Sequence, residues 1–225
     1  MESTNIYEQD KGLAILEYQN YPEAIQEYMA REEAFLLKHL EGAKSLLEIG
    51  CGDGRYLEML APVVGEILGI DYAEYLVNVS RKRTNNLHNV DVIHGNAKDL
   101  PSLLSKTYQF ATLAWNTIGN MPPEIHPDVF RGLSQWVEER IFISTYQCSD
   151  AVMQERLKLY ENCGYKVNSI NGNKVIMEDG QHTAYAYPIN YFQELLESNH
   201  FSMETYALGF CGVMIVGNNQ NFHKN

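Results

Sequence analysis

The chain has 225 residues, 45% of them hydrophobic, enough to bury a large core as one domain of α/β type. Its formal net charge of −12 opposes attraction to phosphate backbones, so DNA and RNA are disfavoured as partners. The four cysteines, Cys51, Cys148, Cys163 and Cys211, show no Cys-x-x-Cys spacing and no nearby His; neither a disulfide framework nor a metal site is expected.

In chain order, Tyr7, Tyr18, Tyr21 and Tyr28 precede apolar residues at helical spacing, Ala34, Leu36, Leu37 and Leu40, with Gly42 as the expected C-cap. Residues 1–43 therefore read as a helical cap. Next comes Leu46-Leu-Glu-Ile-Gly-Cys-Gly-Asp-Gly-Arg55, an apolar run that closes on Glu48 and three glycines at alternate positions, Gly50, Gly52 and Gly54. Tyr56, Leu57, Leu60 and Val64 follow at helical spacing. A glycine-rich turn thus joins a buried strand to a helix, with backbone N–H groups free at the helix start. A dinucleotide fingerprint would place its last glycine at position 55, which is Arg55. Ile67 to Asp71 is a second strand ending in an acid, about twenty residues after the first glycine, where a ribose-binding acid belongs in a βαβ unit. A carboxylate accepts hydrogen bonds from both ribose hydroxyls, and it also suits an N-cap for the helix beginning near Ala73. Val90 to Ala97, with a polar end, Gln109 to Trp115 and Arg140 to Thr145 read as the third, fourth and fifth strands.

The spacing Gly-x-Gly-x-Gly behind Glu48 resembles motif I of the class I S-adenosylmethionine-dependent methyltransferases, and the resemblance runs from Ser45 to about Tyr146. It implies a Rossmann-like, seven-stranded, mostly parallel sheet with helices on both faces, and S-adenosyl-L-methionine as cofactor. It also implies a cofactor site built from Glu48, Gly50, Cys51, Gly52, Gly54, Asp71, Tyr72, Asn96, Ala97 and Asn116. In this family an Arg of the cap can pair with the methionine carboxylate, and Arg31 is the candidate; its other reading is a surface pair with Glu27. Tyr18 and Tyr21 are candidate substrate contacts, as is Asn116. Amino-directed nucleic-acid methyltransferases follow their post-strand Asp or Asn with Pro-Pro-aromatic, whereas this chain has Asn116-Thr117-Ile118-Gly119. That departure argues against base methylation.

Beyond the fifth strand, Ala151 to Cys163 has helical spacing and ends at Gly164. Tyr165 to Ser169 and Lys174 to Met177 read as strands joined by an Asn171-Gly172-Asn173 turn, and a turn at Glu178-Asp179-Gly180 leads to a third strand from His182 to Tyr187. This inserted antiparallel element resembles a substrate-side lid. A helix from Ile189 to Ser198 and strands Phe201 to Leu208 and Gly212 to Val216 close the chain. The domain is thus read as cap 1–43, cofactor-binding half 44–148, helix and lid 149–188, and last helix with hairpin 189–225.

Methyl transfer from a sulfonium is an in-line displacement, in which alignment and exclusion of water carry most of the burden. A base for the acceptor proton would come from His126, Tyr146 or His182. The chain is expected to methylate N or O of a small molecule, with a protein or peptide acceptor and a non-catalytic cofactor-binding protein as alternatives. No transmembrane-length stretch occurs and the first ten residues are polar and acidic, so a cytoplasmic protein is expected. A homodimer is an open assembly.

Overall fold

The computed structural model describes residues 7, 11–178 and 182–222. A short helix α1 (Lys11–Ala14) and a 3-10 turn at Tyr18–Asn20 lead into α2 (Glu23–Leu40). That helix buries Ile25, Tyr28, Met29, Leu36 and Leu40 on one stripe, the spacing that drives an amphipathic helix onto a core. The βα alternation follows: β1 (Leu46–Ile49), α3 (Arg55–Leu60), β2 (Ile67–Asp71), α4 (Glu74–Thr84), β3 (Val90–His94), α5 (Leu100–Leu103) and β4 (Tyr108–Leu113). After β4 come α6 (Thr117–Asn120), α7 (His126–Trp136), β5 (Val137–Tyr146) and α8 (Asp150–Asn162). Strands β6 (Val167–Asn171), β7 (Lys174–Met177) and β8 (Thr183–Tyr185) precede α9 (Ile189–Glu197), β9 (Phe201–Leu208) and β10 (Gly212–Asn219).

Among the described residues, seven strands form one sheet in the order β3-β2-β1-β4-β5-β10-β9. Strands β1 to β5 run parallel and β10 lies antiparallel to both β5 and β9. β1 and β2 are buried along their whole length, as central parallel strands covered on both faces must be. Leu46 and Ile67 pack with α2, α3, α4 and α8 on one face, whereas Leu47, Ile49, Leu68 and Ile70 pack with α5, α7 and α9 on the other. The strand order reverses between β1 and β4, and a crevice opens there beyond the carboxyl ends of the strands.

The fourth strand stops at Leu113, two residues short of the expected Trp115, because Trp115 (φ 45°) and Asn116 (φ 58°) take left-handed backbone. The fifth begins at Val137, earlier than expected. α7 fills a stretch to which the sequence reading assigned no element; Val129, Phe130 and Leu133 drive it into the core.

The insert is a separate antiparallel sheet, β6-β7-β8; of its second turn, Asp179 and Gly180 lie outside the described residues. Two side chains of the main body hold this sheet. Arg156 of α8, only 1% exposed, donates from Nη1 to the Asn173 carbonyl and from Nη2 to the Ala184 carbonyl, each at 3.1 Å. Asn116 donates from Nδ2 to the Tyr185 carbonyl at 2.9 Å. Among the described residues no helix is long and apolar enough to cross a membrane.

Candidate active site

Three loops meet at the crevice: the glycine turn after β1, the end of β2, and the corner after β4. Gly50, Gly52 and Gly54 all have positive φ, at 71°, 53° and 82°, conformations that residues with a Cβ adopt only at a cost. A Cβ on Gly50 would meet Cγ2 of Thr117 at 2.6 Å, across the crevice. The turn is therefore compact enough to let a ligand lie directly on its backbone. Asp71 braces it: one carboxylate oxygen accepts from the Gly52 N–H and the other from the Ala73 N–H, both at 2.9 Å. The second of these bonds is a local turn contact and not the N-cap read from the sequence, since α4 has Ala73 as its N-cap and no side-chain cap bond. The carboxylate keeps room to accept from a further donor. Burial raises the Asp71 pKa, and the backbone N–H groups of Ala73 and Gly52 oppose that rise.

The cleft has two adjoining lobes. The larger, with about 690 Å³ of empty volume, is lined by Glu48, Gly50, Cys51, Gly52, Arg55, Asp71, Tyr72 and Trp115, with Tyr7 on its rim. The smaller, with about 530 Å³, is lined by Gly50, Asp71, Tyr72, Asn96, Ala97, Met121 and Ile125. Asn96 also caps the 3-10 turn at Ala97–Asp99 by accepting from the Lys98 N–H at 3.1 Å. Glu48 is 1% exposed, and its Oε2 is buried without a hydrogen-bond partner. Burial raises its pKa well above the carboxylate range, while Arg55 pulls it back.

Arg55 supplies the positive charge of the larger lobe. Its guanidinium lies 4.6 Å from the Trp115 ring centre and 4.9 Å from that of Tyr56, the geometry of cation–π contact. Nη1 donates to the Tyr21 hydroxyl at 2.9 Å and Nη2 faces the Met29 sulfur at 3.8 Å. The sequence reading used Arg55 only to reject a dinucleotide fingerprint; its place one residue after the last glycine was the available signal.

Several expected site residues stand elsewhere. Arg31 is an exposed side chain paired with Glu27 at 2.8 Å, the surface reading of that residue. Tyr18 is 55% exposed and does not line either lobe, whereas Tyr21 is buried behind Arg55. Asn116 is turned away by its left-handed backbone; its Oδ1 accepts from the Thr145 hydroxyl at 2.8 Å while Nδ2 holds the insert. His126 is buried, with Nδ1 2.6 Å from the Tyr191 hydroxyl, and burial lowers its pKa. Tyr146 is buried against Tyr28 and below Arg156, with its pKa pushed well up by burial. His182 is also buried, and its ring meets Tyr7 edge-on at 5.2 Å, one layer behind the cleft. None of the three candidate bases lines a lobe, because each carries a ring that the core uses for packing.

The residues present suit an amino acid joined to a nucleoside. A carboxylate with one buried oxygen unpartnered (Glu48) matches an ammonium, a guanidinium with donors to spare (Arg55) matches a carboxylate, and Asp71 matches a ribose diol.

Residues 46–140 match the family model of a methyltransferase domain. A demethylmenaquinone methyltransferase from Listeria welshimeri is 29% identical over 97 residues, which is 41% of this chain and 40% of the length of that relative. Among solved structures, a protein from Pyrococcus horikoshii matches with a TM-score of 0.69 at 18% identity, covering 89% of this chain and 93% of that one. A 1,6-didemethyltoxoflavin-N1-methyltransferase from Burkholderia thailandensis, with 1,6-didemethyltoxoflavin and S-adenosylhomocysteine bound, gives 0.62 at 13% identity, over 86% of this chain and 79% of that one. At such identities the structural matches speak to the fold, and the family-model match speaks to residues 46–140. Residues 46–140, which include the glycine turn, thus match a methyltransferase domain, and the whole fold is similar to that of S-adenosylmethionine-dependent methyltransferases of known structure.

Proposed function

We propose that this protein transfers the methyl group of S-adenosylmethionine to nitrogen or oxygen of a small molecule. The observation that carries the reading is the trio Glu48, Arg55 and Asp71 gathered around one glycine turn in a single lobe. Glu48 takes the ammonium of the methionyl part and Arg55 its carboxylate, in the place first assigned to Arg31. Asp71 takes the ribose hydroxyls. Asn96, Ala97 and Met121 line the smaller lobe, which receives the adenine. The cofactor supplies an electrophilic methyl on a sulfonium, whose carbon–sulfur bond breaks as the acceptor lone pair attacks in line. The chain's own contribution is to hold both partners at that angle and to keep water out. Tyr7, Trp115 and Met121 line the larger lobe around the space left for an acceptor.

A small acceptor is favoured because the relatives named above act on a quinone precursor and on toxoflavin precursors, and because the charge of −12 repels nucleic acid. Cofactor labelled in its methyl group, incubated with the protein and a panel of small phenols, quinols and heteroaromatic amines, tests the reading. Label recovered on a small molecule is the expected outcome. Label found only on added peptides would move the acceptor to protein, and no demethylated cofactor formed with any acceptor would contradict turnover.

A further inference from the structure

Glu32 lies in the middle of α2 and is 0% exposed. Its carboxylate accepts three hydrogen bonds, each from a different element: the Trp115 backbone N–H at 2.8 Å, the Ser144 hydroxyl at 2.5 Å and the Tyr56 hydroxyl at 3.0 Å. Burying a carboxylate is costly, and packing alone does not require one here. The three donors show what it holds.

The first is the corner after β4. Trp115 and Asn116 are consecutive non-glycine residues with left-handed φ, and such backbone persists only where its surroundings over-determine it. Glu32 holds the Trp115 N–H. The Ser144 carbonyl holds the Asn116 N–H at 3.0 Å, and the Asn116 side chain is bonded at both ends. The corner sets the Trp115 indole against Arg55, across the crevice from the glycine turn. The second donor, Tyr56, carries the other ring within 4.9 Å of the same guanidinium. One carboxylate from the cap therefore grips the two residues whose rings lie nearest Arg55, and Trp115, Tyr56 and Arg55 all line the larger lobe.

We propose that Glu32 is a positioning residue: by gripping the Trp115 backbone and the Tyr56 hydroxyl it sets the Trp115–Arg55–Tyr56 stack against which the methionyl end of the cofactor lies. This rests on the reading of the cleft as the cofactor site. It makes the cap part of the site's framework as well as its cover, since the carboxylate comes from α2 and everything it sets lies on the sheet side.

The test uses the full chain carrying Trp136→Phe, which leaves Trp115 as the one remaining tryptophan of the two in the sequence. Glu32→Leu removes every acceptor from the Trp115 N–H. It should weaken S-adenosylhomocysteine binding tenfold or more by calorimetry and change the emission of Trp115. Glu32→Gln keeps an acceptor for that N–H and should restore affinity to within threefold of the parent. Where Glu32→Leu does not fold, Glu32→Asp serves: it keeps the charge but is one methylene too short to reach Trp115 and Tyr56 together, so a loss of threefold or more is expected with a changed emission. Parental affinity and emission in Glu32→Leu or Glu32→Asp, with only a lower melting temperature, would reduce Glu32 to a stabilising residue. Equal losses in Glu32→Leu and Glu32→Gln would also overturn the proposal, since charge and not the grip on Trp115 would then matter. A parent that binds no S-adenosylhomocysteine would refute the cofactor reading, and the emission comparison alone would then decide whether Glu32 sets Trp115.

Discussion

The half of the molecule from β1 to β5 and the parts added around it, the N-terminal cap and the β6–β8 insert, solve the problem of order in opposite ways. In the first, order comes from the main chain: paired parallel strands, a glycine turn, and an aspartate bonded to two backbone N–H groups. In the second, order comes from buried charges reaching across. Glu32 ties the cap to the ends of β4 and β5, and Arg156 ties the insert to α8 through two carbonyls. Backbone pairing is periodic and leaves a trace in sequence, whereas a single charged side chain in a core leaves none.

Breaking one of the cross-ties should give the largest effect. Arg156→Met keeps the length of the side chain but leaves the Asn173 and Ala184 carbonyls without their donor, a cost of about 2 to 4 kcal/mol. Urea denaturation should register it, and protease cleavage should appear first within 165–187. Arg55→Met is next: it removes the proposed partner of the methionine carboxylate and should cost about 1.5 to 3 kcal/mol of S-adenosylhomocysteine binding, read by calorimetry. Asp71→Ala should lose a similar amount at most, since some of its bonding serves the turn itself; affinity within twofold of the parent would reduce it to a brace.

A smaller effect is set by pH. Burial raises the Glu48 pKa, so the folded chain keeps this proton at pH values where the unfolded chain has lost it. Its contribution to stability therefore falls as pH rises from the ordinary carboxylate range up through the raised value. Cofactor binding runs the other way, because the ammonium favours the charged carboxylate: affinity should rise with pH over that same window, and the rise should flatten in Glu48→Gln. The smallest effect belongs to Arg31→Ala, which breaks an exposed pair and should change stability by less than about 0.5 kcal/mol, with cofactor affinity unaltered.

These contrasts also mark what the sequence could reveal. β2, β7 and β9 have the residue ranges read from pattern alone, because apolar runs and turn residues bound them on both sides. The end of β4 was misplaced because Trp115 is of a type common in strands, and the partner of its backbone N–H in the left-handed corner is Glu32, distant in the chain. His126 was read as a candidate base although Pro127 and Asp128 follow it as helix-start residues, ahead of Val129, Phe130 and Leu133 on the buried face of α7. Arg31 and Arg55 differ in a way no spacing reports: one is at the surface four residues from an acid, the other is enclosed by three aromatic rings.

The central claim is that the cleft at the glycine turn receives an adenosyl amino acid, and calorimetric titration of the full chain with S-adenosylhomocysteine and, separately, with NADH tests it most directly. Saturable one-to-one binding of S-adenosylhomocysteine, weakened by Arg55→Met and by Asp71→Ala, with no heat from NADH, is the predicted result. Tight NADH binding with no response to the adenosyl ligand would contradict it.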